Sequence, residues 1–404
     1  MNKPRLAVIG ASHFQLPLIH KAQEKGCEVH AFAWQCGDVG EHAANVFHPV
    51  SIVETEQIVE ECRHIGVQGI CTIASDLATV AVCEVADALG LIGNSLACMR
   101  VSTNKHLMRE AFAAAGDPSP RSVAVGPDEL DTFIPAEHEL SYPLIVKPAD
   151  RSGSRGVTKL GMPQTDASAA SRQLVRALEE ALDQSLSNQA VVEEYATGDE
   201  FSVEGISWEG MHQILTVTRK ATTDAPHFIE TAHLEPAGLP SNMYQRVCDV
   251  TTHALDTLGI RYGASHTELK IAKDGTIRII EIGARMGGDC IGSHLVPLST
   301  GIDYVGAIVD VALGKKPNLT PTSTPMPAAA RFLFDESDVR LFEELKKAHP
   351  ELIRYAHMTT EGNSHAVTDS STRLGHFVIA SHEATELADY LPDQLARVAR
   401  GVLR

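Results

Sequence analysis

One stretch in the second half of the chain decides the fold: Ile279-Ile280-Glu281-Ile282-Gly283-Ala284-Arg285-Met286-Gly287-Gly288-Asp289. A glutamate stands among apolar residues that predict a β-strand, and an arginine and a pair of glycines follow it. A charged side chain at an apolar strand position is costly to bury without a partner. The flanking residues therefore favour a carboxylate that serves a site over one that is only solvated.

The preceding predicted strand carries a second glutamate, Glu268. Strands predicted over residues 264–271 and 276–282 are joined by Asp274-Gly275, which is typical of a hairpin turn. Because side chains alternate along a strand, Glu268 and Glu281 can point to the same face. Two carboxylates that converge on phosphate oxygens are a usual arrangement for Mg²⁺. A solvent-facing pair is the alternative for glutamates on a hairpin, and the apolar neighbours of Glu281 favour the metal site.

A lysine and a glycine-containing loop form the next candidate site. The predicted buried strand over residues 142–146 leads to Lys147, and a loop over residues 150–157 follows. Backbone N–H groups of such a loop can hold phosphate oxygens, and glycine permits their close approach. The loop lacks the Walker pattern, so a solvated turn beside an extended lysine is the alternative interpretation. The loop residues singled out are Ser152, Gly153, Ser154, Gly156 and Val157.

The first hundred residues predict a parallel α/β lobe. Apolar strands over residues 6–9, 28–32 and 69–73 alternate with helix-like stretches, as parallel strands require. The turn that follows the first strand has only one glycine of the three in the dinucleotide-binding fingerprint, Gly10. A structural turn is therefore favoured there over a nicotinamide site. An NAD-dependent oxidoreductase is kept as an alternative of another class.

Composition limits the class of protein further. The 404 residues are 44% hydrophobic, which suits several packed lobes. A formal charge of -18 disfavours polyphosphate backbones and anionic membranes as partners. Eight cysteines occur without a C-x-x-C pair, and no apolar run has the length of a signal-peptide core or a membrane span. We expect a cytoplasmic protein with reduced thiols that binds neither nucleic acid nor membrane.

Five motifs occur in a fixed order over about residues 100–315. They are Ser102-Thr103-Asn104-Lys105, Pro143-Leu144-Ile145-Val146-Lys147-Pro148, Gly153-Ser154-Arg155-Gly156-Val157, Val192-Glu193-Glu194-Tyr195-Ala196-Thr197-Gly198-Asp199-Glu200, and Glu268 together with Glu281-Ile282-Gly283-Ala284-Arg285. In order and spacing, these motifs resemble the ATP-grasp superfamily. Within the superfamily, residues 266–270 and 284–289 are most similar to L-amino acid ligases that form dipeptides and to carnosine-synthase-type enzymes.

The resemblance implies a protein with α/β and α+β parts. Residues 1–100 have the position of the Rossmann-like pre-ATP-grasp lobe. Residues 101–318 correspond to the ATP-grasp domain, with a lid subdomain at about 118–200. After a polar stretch with several prolines, residues 319–404 are expected to form a small C-terminal α+β lobe. The superfamily resemblance also favours a homodimer.

The same resemblance implies an ATP site and assigns residues to it. A lysine pair would meet the phosphates beneath a flexible lid, and three carboxylates with one backbone segment would border the nucleoside. The residues are Lys105 and Lys147 at the phosphates, Ser152 to Val157 in the lid, Glu193, Glu194 and Ala196 near adenine, and Glu200 at the ribose hydroxyls.

Metal binding and catalysis are implied for the hairpin and the residues after it. Glu268 and Glu281 would bind Mg²⁺, with Mn²⁺ as the alternative ion. Many family members have asparagine two residues after the second glutamate, where this chain has Gly283, so the number of protein ligands on a second metal stays open. The resemblance implies two catalytic residues, Arg285 and Lys147, of which Arg285 would face the transferred phosphoryl group. The backbone of Gly287 and Gly288 is expected near the same oxygens.

The implied activity is that of an ATP-dependent carboxylate–amine ligase. Phosphoryl transfer activates a carboxylate as an acyl-phosphate, an amine attacks it, and ADP and phosphate leave. Both substrates are expected to be small molecules, with an amino acid among them. Residues 218–236 are predicted as a loop in which Glu230 or His233 meets the amino group, and a solvated crossing loop is the alternative. The remaining alternatives are a biotin-carboxylase-like or purine-pathway carboxylase and a non-catalytic nucleotide-binding protein.

Overall fold

The computed structural model describes residues 3–162, 167–223, 228–359 and 370–401. Its N-terminal lobe alternates strands and helices: β1 (Arg5–Ile9), α1 (Leu16–Glu24), β2 (Glu28–Phe32), α2 (Val39–Ala43), β3 (Val46–His48), α3 (Thr55–Ile65), β4 (Gly69–Cys71) and α4 (Asp76–Leu89). The strands pair in parallel in the order β3-β2-β1-β4. Since helices return the chain between parallel strands, all four carboxyl ends lie at one edge of the sheet.

Local capping places an acidic residue at that edge. The Ser75 hydroxyl oxygen accepts a hydrogen bond from the N–H of Ala78 at 3.2 Å, so α4 begins at Asp76. The helix ends at Gly90, whose φ of 65° is the left-handed conformation that glycine adopts without strain. Asp76 therefore stands directly after β4, where parallel sheets present their ligand-binding loops.

Two helices connect this lobe to a second, antiparallel sheet. The elements are α5 (Leu96–Thr103), α6 (Lys105–Ala115), β5 (Ser122–Val125), β6 (Leu144–Pro148), β7 (Thr158–Leu160), α7 (Ala167–Gln184) and β8 (Ala190–Glu194). The strands pair in the order β5-β8-β6-β7, and one face packs on α7 through Leu174, Leu178 and Ala181. The side chain of Asn104 accepts a hydrogen bond from the N–H of Leu107, which fixes Lys105 at the start of α6.

The remainder of the chain builds an eight-stranded antiparallel sheet. Its elements are β9 (Asp199–Trp208), β10 (Met211–Thr222), β11 (Glu230–Glu235), α8 (Ser241–Thr257), β12 (Gly263–Ile271), β13 (Ile277–Gly283), α9 (Val296–Thr300), α10 (Tyr304–Ala312), β14 (Ala328–Leu333), α11 (Glu336–Ala348), β15 (Ile353–Met358), β16 (Gly375–Ala380) and α12 (Asp393–Gly401). The strand order is β13-β12-β9-β10-β11-β14-β16-β15. Strands that follow residue 319 therefore extend the central sheet, and the boundary at residue 318 stays a prediction.

One apolar core joins the N-terminal lobe to the central sheet. Val8 and Ile73 of the lobe belong to the same buried cluster as Ile206 of β9 and several residues of α10. The hydroxyl of Tyr304 donates a hydrogen bond to the backbone oxygen of Gly205 at 2.8 Å, which fixes α10 on β9. Because the shared core holds the N-terminal lobe against these elements, a site between the two parts has walls of fixed separation.

The segment predicted as a loop over residues 218–236 is mostly strand. β10 continues to Thr222, β11 begins at Glu230, and residues 224–227 lie outside the described part of the chain. Charged side chains hide the strand pattern in the sequence, because Lys220 is buried against carboxylates instead of facing solvent. The loop prediction is therefore wrong for β10 and β11, and the physical reason is a buried charge network that periodicity does not reveal.

Two further expectations concern cysteines and membranes. All eight cysteines are free thiols. Within the described ranges, no single helix is long and apolar enough to cross a bilayer. Two helical segments taken together, Ile291–Thr300 and Tyr304–Ala312, reach that length and apolar composition, but the chain bends by 117° between them.

A buried acid occupies the end of β11. The hydroxyls of Thr218 and Ser299 lie 2.6 Å from the two carboxyl oxygens of Glu235, which is fully buried. Burial raises the pKa of this carboxyl to about 8, because desolvation outweighs the two hydroxyl contacts. Glu235 is therefore largely protonated in the folded protein at neutral pH and ionised in the unfolded chain.

We expect Glu235→Gln to remove a pH dependence of stability. Between the unfolded pKa of 4.5 and the folded pKa of about 8, the native state binds more protons, so rising pH destabilises the parent protein. The effect has an upper limit of about 5 kcal/mol. Glutamine cannot ionise and retains hydrogen bonding to both hydroxyls. Urea unfolding of both proteins at about pH 5 and about pH 8.5 measures the difference, and the same pH dependence in both would contradict the assignment.

Candidate active site

A cavity of about 650 Å³ lies between the N-terminal lobe, the β5–β8 sheet and the central sheet. The structure brings together nearly all of the residues predicted from the sequence, although they come from distant segments. The predicted residues that line the cavity are Lys105, Lys147, Ser152, Gly153, Ser154, Val157, Glu193, Glu194, Ala196, Glu200, Glu230, His233, Glu268, Glu281, Arg285 and Gly288. Gly156 and Gly287 do not line it.

Two buried lysines reach the cavity from different elements. Lys147 of β6 lies 2.8 Å from Glu193 of β8, and Glu193 also forms an ion pair with Arg109 of α6 at 2.9 Å. Lys105 at the start of α6 lies 3.2 Å from Glu281 and donates a hydrogen bond to the backbone oxygen of Arg151. Burial lowers the pKa of Lys147, and the neighbouring Glu193 opposes that shift. Both ammonium groups are thus held in place at the cavity wall.

The two glutamates of the hairpin stand directly opposite each other. Register pairing aligns Glu268 of β12 with Glu281 of β13, so both side chains leave the same face of the sheet. Burial opposes ionisation of Glu268, but Lys220 holds the pKa of this carboxyl well below its usual range. No group of three or more His, Cys, Asp or Glu in the described residues is arranged to hold a metal ion. Two carboxylates alone suit Mg²⁺, which keeps water or phosphate oxygens as its other ligands.

Lys220 is a central cation that the sequence did not single out. It is 2% exposed, and its Nζ lies 2.6 Å from Glu268 and 3.5 Å from both Glu200 and Glu230. Burial disfavours its charge, yet the three carboxylates together raise the pKa of Lys220. The local sequence carries no signal for this environment, because the three carboxylates lie on three other strands, β9, β11 and β12.

Arg285 connects the central sheet to the N-terminal lobe. Its guanidinium donates two hydrogen bonds to the carboxylate of Asp76, at 2.8 and 2.7 Å. Burial opposes the charge of Arg285, whereas Asp76 raises its pKa. Asp76 was missed as a site residue, although an acid directly after a predicted parallel strand is a usable signal. A bidentate pair fixes the plane of the guanidinium at the cavity wall.

A second cluster of acidic residues surrounds Arg373, which lies in the last described range, residues 370–401. Arg373 donates hydrogen bonds to Glu230 at 2.9 Å and to Asp289 at 2.7 Å. His233 lies nearby, fully buried, and neither ring nitrogen has a hydrogen-bond partner among the described residues. Burial lowers the pKa of His233 to about 3, so the imidazole is neutral. A neutral buried imidazole at a cavity wall is free to bond a ligand.

Two of the predicted glycines have structural roles. The N–H of Gly287 donates to the buried carboxylate of Glu204 at 3.0 Å, and a Cβ at this position would lie 2.5 Å from that carboxylate. Gly156 has a φ of 64°, and a Cβ there would lie 3.1 Å from Pro148. The N–H of Gly287 is therefore engaged by Glu204, and the approach of its backbone to phosphate oxygens stays a prediction. Gly288 does line the cavity.

The comparisons with known proteins define the class. Residues 140–293 match the family model of the ATP-grasp domain, so the chain contains an ATP-grasp domain and the resemblance is confirmed. The alanine–anticapsin ligase of Bacillus subtilis (strain 168) is 27% identical over 247 residues, which cover 58% of this chain and 51% of that protein. The chain therefore spans about half the length of this curated relative.

Solved structures support the same fold over the whole chain. The L-amino acid ligase from Bacillus licheniformis superposes with a TM-score of 0.78 at 23% identity, covering 100% of this chain and 98% of that one. The phosphoribosylglycinamide synthetase from Anaerococcus prevotii gives 0.74 at 18% identity, covering 99% and 98%. The predicted fold, with α/β and α+β parts around an ATP-grasp centre, is confirmed.

Replacing Lys147 with alanine is expected to raise the dissociation constant of ATP by about tenfold or more, equivalent to about 1.4 kcal/mol. The reason is the loss of a buried ammonium beside the proposed phosphate site, while Arg109 still neutralises Glu193. Calorimetric titration with ATP measures the change. Lys347→Ala, which removes an exposed cation of α11 that does not line the cavity, serves as a control for lost charge alone. Unchanged affinity in the Lys147 variant would show that this lysine does not bind the nucleotide.

Proposed function

We propose that the protein is an ATP-dependent carboxylate–amine ligase that uses an amino acid as one substrate. The observation that carries this proposal is the paired placement of Glu268 and Glu281 on a cavity wall that Lys105 and Lys147 also reach. Such a set of charges suits a nucleoside triphosphate with Mg²⁺. The similarity to the alanine–anticapsin ligase, a relative named for an amino acid substrate, adds support from sequence.

In this proposal, the nucleotide occupies the part of the cavity between the β5–β8 sheet and the central sheet. Lys105 and Lys147 bind phosphate oxygens, and the backbone of residues 152–154 covers them. Glu193, Glu194 and Ala196 border the base, and Glu200 takes the ribose hydroxyls. Glu268 and Glu281 hold Mg²⁺, which supplies positive charge to the phosphate oxygens when bound.

The chemical step depends on charge placed at the transferred group. A carboxylate is a poor electrophile, and phosphoryl transfer from ATP converts it into an acyl-phosphate. Arg285, held by Asp76, presents guanidinium donors to the oxygens on which negative charge develops. Among the described ion pairs of the cavity, Arg285 is the cation whose carboxylate partner belongs to the N-terminal lobe; the three lysines pair with glutamates of the other two sheets.

In this proposal, the amine substrate binds at the end of the cavity where Glu230 and Asp289 lie. Glu230 and Asp289 provide negative charge for an ammonium group, and Arg373 orients both carboxylates. The neutral imidazole of His233 can accept a hydrogen bond from the amine and so orient its lone pair toward the acyl-phosphate, but with a pKa of about 3 it is too weak a base to take the proton. Attack forms the amide bond and releases phosphate.

A biotin-carboxylase-like or purine-pathway carboxylase is the second candidate of the same class. The structural similarity to the phosphoribosylglycinamide synthetase supports only the shared fold at 18% identity. The alanine–anticapsin ligase is similar in sequence at 27% identity, so the ligase is favoured. A dinucleotide-dependent oxidoreductase is disfavoured because the Gln15 side chain fills the space beside Gly10, 2.8 Å from where a Cβ would stand.

A phosphate-release screen tests the proposal. Purified protein is incubated with ATP, Mg²⁺ and pairs of amino acids, and mass spectrometry then identifies the product. Release of phosphate that requires both amino acids, with a product mass of their sum less water, supports the ligase. Bicarbonate-dependent release without an amino acid would favour the carboxylase, and ATP binding without turnover would favour a nucleotide-binding protein.

A further inference from the structure

The carboxyl ends of all four strands of the N-terminal sheet open onto the cavity. The loops after these strands supply one continuous wall that the proposed nucleotide contacts do not use. The wall residues are Gly10, Ala11, Ser12, Phe14 and Gln15 after β1, Ala33, Trp34, Cys36 and Asp38 after β2, Ser51 and Ile52 after β3, and Ala74 to Leu77 after β4. In open parallel sheets this edge is where ligands bind.

A solvent-exposed tryptophan stands on this wall. Trp34 is 71% exposed, although large aromatic side chains are usually covered. Phe14 and Ile52 line the same wall and are only half-buried. The second tryptophan, Trp208, is instead packed edge-on against Tyr262 with ring centroids 5.7 Å apart. An exposed aromatic that lines a cavity beside other apolar side chains offers a surface for an apolar ligand group.

The charges on this wall are all negative or neutral. Among the described lining residues of the N-terminal lobe, no lysine or arginine occurs. Asp76 is engaged by Arg285, and Asp38 accepts a hydrogen bond from the thiol of Cys36 at 3.4 Å. The lysines and arginines that line the cavity belong to other elements of the chain, and Arg285, which contacts this wall, is paired with Asp76. The wall therefore disfavours an acidic side chain, because an incoming carboxylate would lose water without gaining a cation that is not already paired.

Hydrogen bonds order the loop that follows Trp34. The carboxylate of Glu41 accepts from the backbone N–H groups of Cys36 at 2.8 Å and Gly37 at 2.7 Å. The N–H of Gly40 then donates to the backbone oxygen of Ala11 at 2.8 Å, which ties the β2 loop to the β1 loop. A wall that is ordered before binding loses little conformational freedom when a ligand arrives.

We propose that Trp34, Phe14 and Ile52 form a subsite for an aromatic or branched apolar side chain of one amino acid substrate. The subsite rests on the proposed ligase function, because its occupant is that enzyme's substrate. Continuity with the cavity carries the assignment, since the apolar wall shares one space with Lys147, Glu281 and Arg285. Trp34 makes stacking contact with the side chain, and the absence of cations on the wall excludes glutamate and aspartate from it.

Direct binding tests the subsite without turnover. In a Trp208→Phe background, Trp34 is the remaining tryptophan of the two in the chain, so its fluorescence reports on this wall alone. Titration with phenylalanine, leucine and glutamate, in the presence of a non-hydrolysable ATP analogue, compares the three side chains. A saturable change with phenylalanine and leucine at concentrations where glutamate has no effect supports the subsite. Equal responses to all three, or no response to any, would overturn it.

Kinetics test whether the same wall sets specificity. The ratio of kcat/KM for phenylalanine to that for alanine is expected to fall by about tenfold or more in Trp34→Ala. Trp34→Phe retains a flat apolar ring and should keep most of that ratio. Met211→Ala is the matched control, because Met211 is 62% exposed and does not line the cavity.

The two ideas can fail separately. If no pair of amino acids supports ATP-dependent ligation, the proposed function fails, and the fluorescence titration still decides whether apolar amino acids bind at Trp34. If ligation occurs but the specificity ratio is the same in the parent protein and Trp34→Ala, the subsite is wrong and the ligase proposal stands.

Discussion

Replacing Glu281 with glutamine is expected to lower turnover by roughly 10²-fold or more while the fold stays intact. The carboxylate stands opposite Glu268 and 3.2 Å from Lys105, so its loss removes half of the proposed magnesium site and a partner of a lysine that is proposed to bind phosphate. Steady-state phosphate release at several Mg²⁺ concentrations measures the effect. A higher Mg²⁺ requirement, in addition to slower turnover, is expected because glutamine is a weaker ligand than a carboxylate.

The same chemical change elsewhere provides the control. Glu344→Gln alters an exposed residue of α11 that does not line the cavity, and it should leave turnover within a few-fold of the parent protein. Thermal unfolding of both variants shows whether the fold is retained. Turnover within a few-fold of the parent in Glu281→Gln, with an unchanged Mg²⁺ requirement, would remove this residue from the metal site.

Arg285→Lys is expected to lower kcat by roughly 10²-fold and to weaken ATP binding much less. Lysine keeps the charge but cannot form the planar bidentate contact that Arg285 makes with Asp76, nor direct two donors at the phosphoryl oxygens. Because the lost contact belongs mainly to the transition state, the effect should appear in kcat. Kinetics on an active amino acid pair, with ATP affinity from calorimetry, separate the two quantities.

The variant Asp76→Asn distinguishes a direct role of Arg285 in catalysis from its role in the ion pair that links the two lobes. That variant weakens the ion pair and leaves the guanidinium in the cavity, so its kcat should fall clearly less than that of Arg285→Lys. Equal losses in both variants would show that Arg285 acts only through the lobe contact. A normal kcat with weakened ATP binding in Arg285→Lys would make this residue a ground-state nucleotide contact.

Local sequence patterns were sufficient for most elements near the site. The apolar run before Lys147 and the hairpin that carries Glu268 and Glu281 correspond to β6, β12 and β13. A strand with two-residue alternation and a turn of Asp-Gly are local features, so neighbouring residues determine them. The facing of the two glutamates followed from that alternation, and the register pairing agrees with it.

Local patterns failed where burial of charge overrides them. The segment over residues 218–236 has the composition of a loop, yet Lys220 occupies a buried strand position among three carboxylates. An ammonium group is stable there only because the carboxylates surround it, and they come from β9, β11 and β12. Neither the lysine nor its neighbours in the sequence indicate that environment.

The sequence by itself determined the ATP-grasp centre, the glutamate hairpin and two of the lysines that line the cavity, because each depends on short motifs whose spacing is set along one strand or turn. Only the tertiary structure decided which charges meet. Asp76 and Arg285 are 209 residues apart and pair across two lobes, and Arg373 reaches Glu230 from 143 residues away. The same holds for the apolar wall around Trp34, which forms because four parallel strands end at one edge. Contacts of this kind depend on how sheets and lobes pack, and that packing is a property of the whole chain rather than of any local pattern.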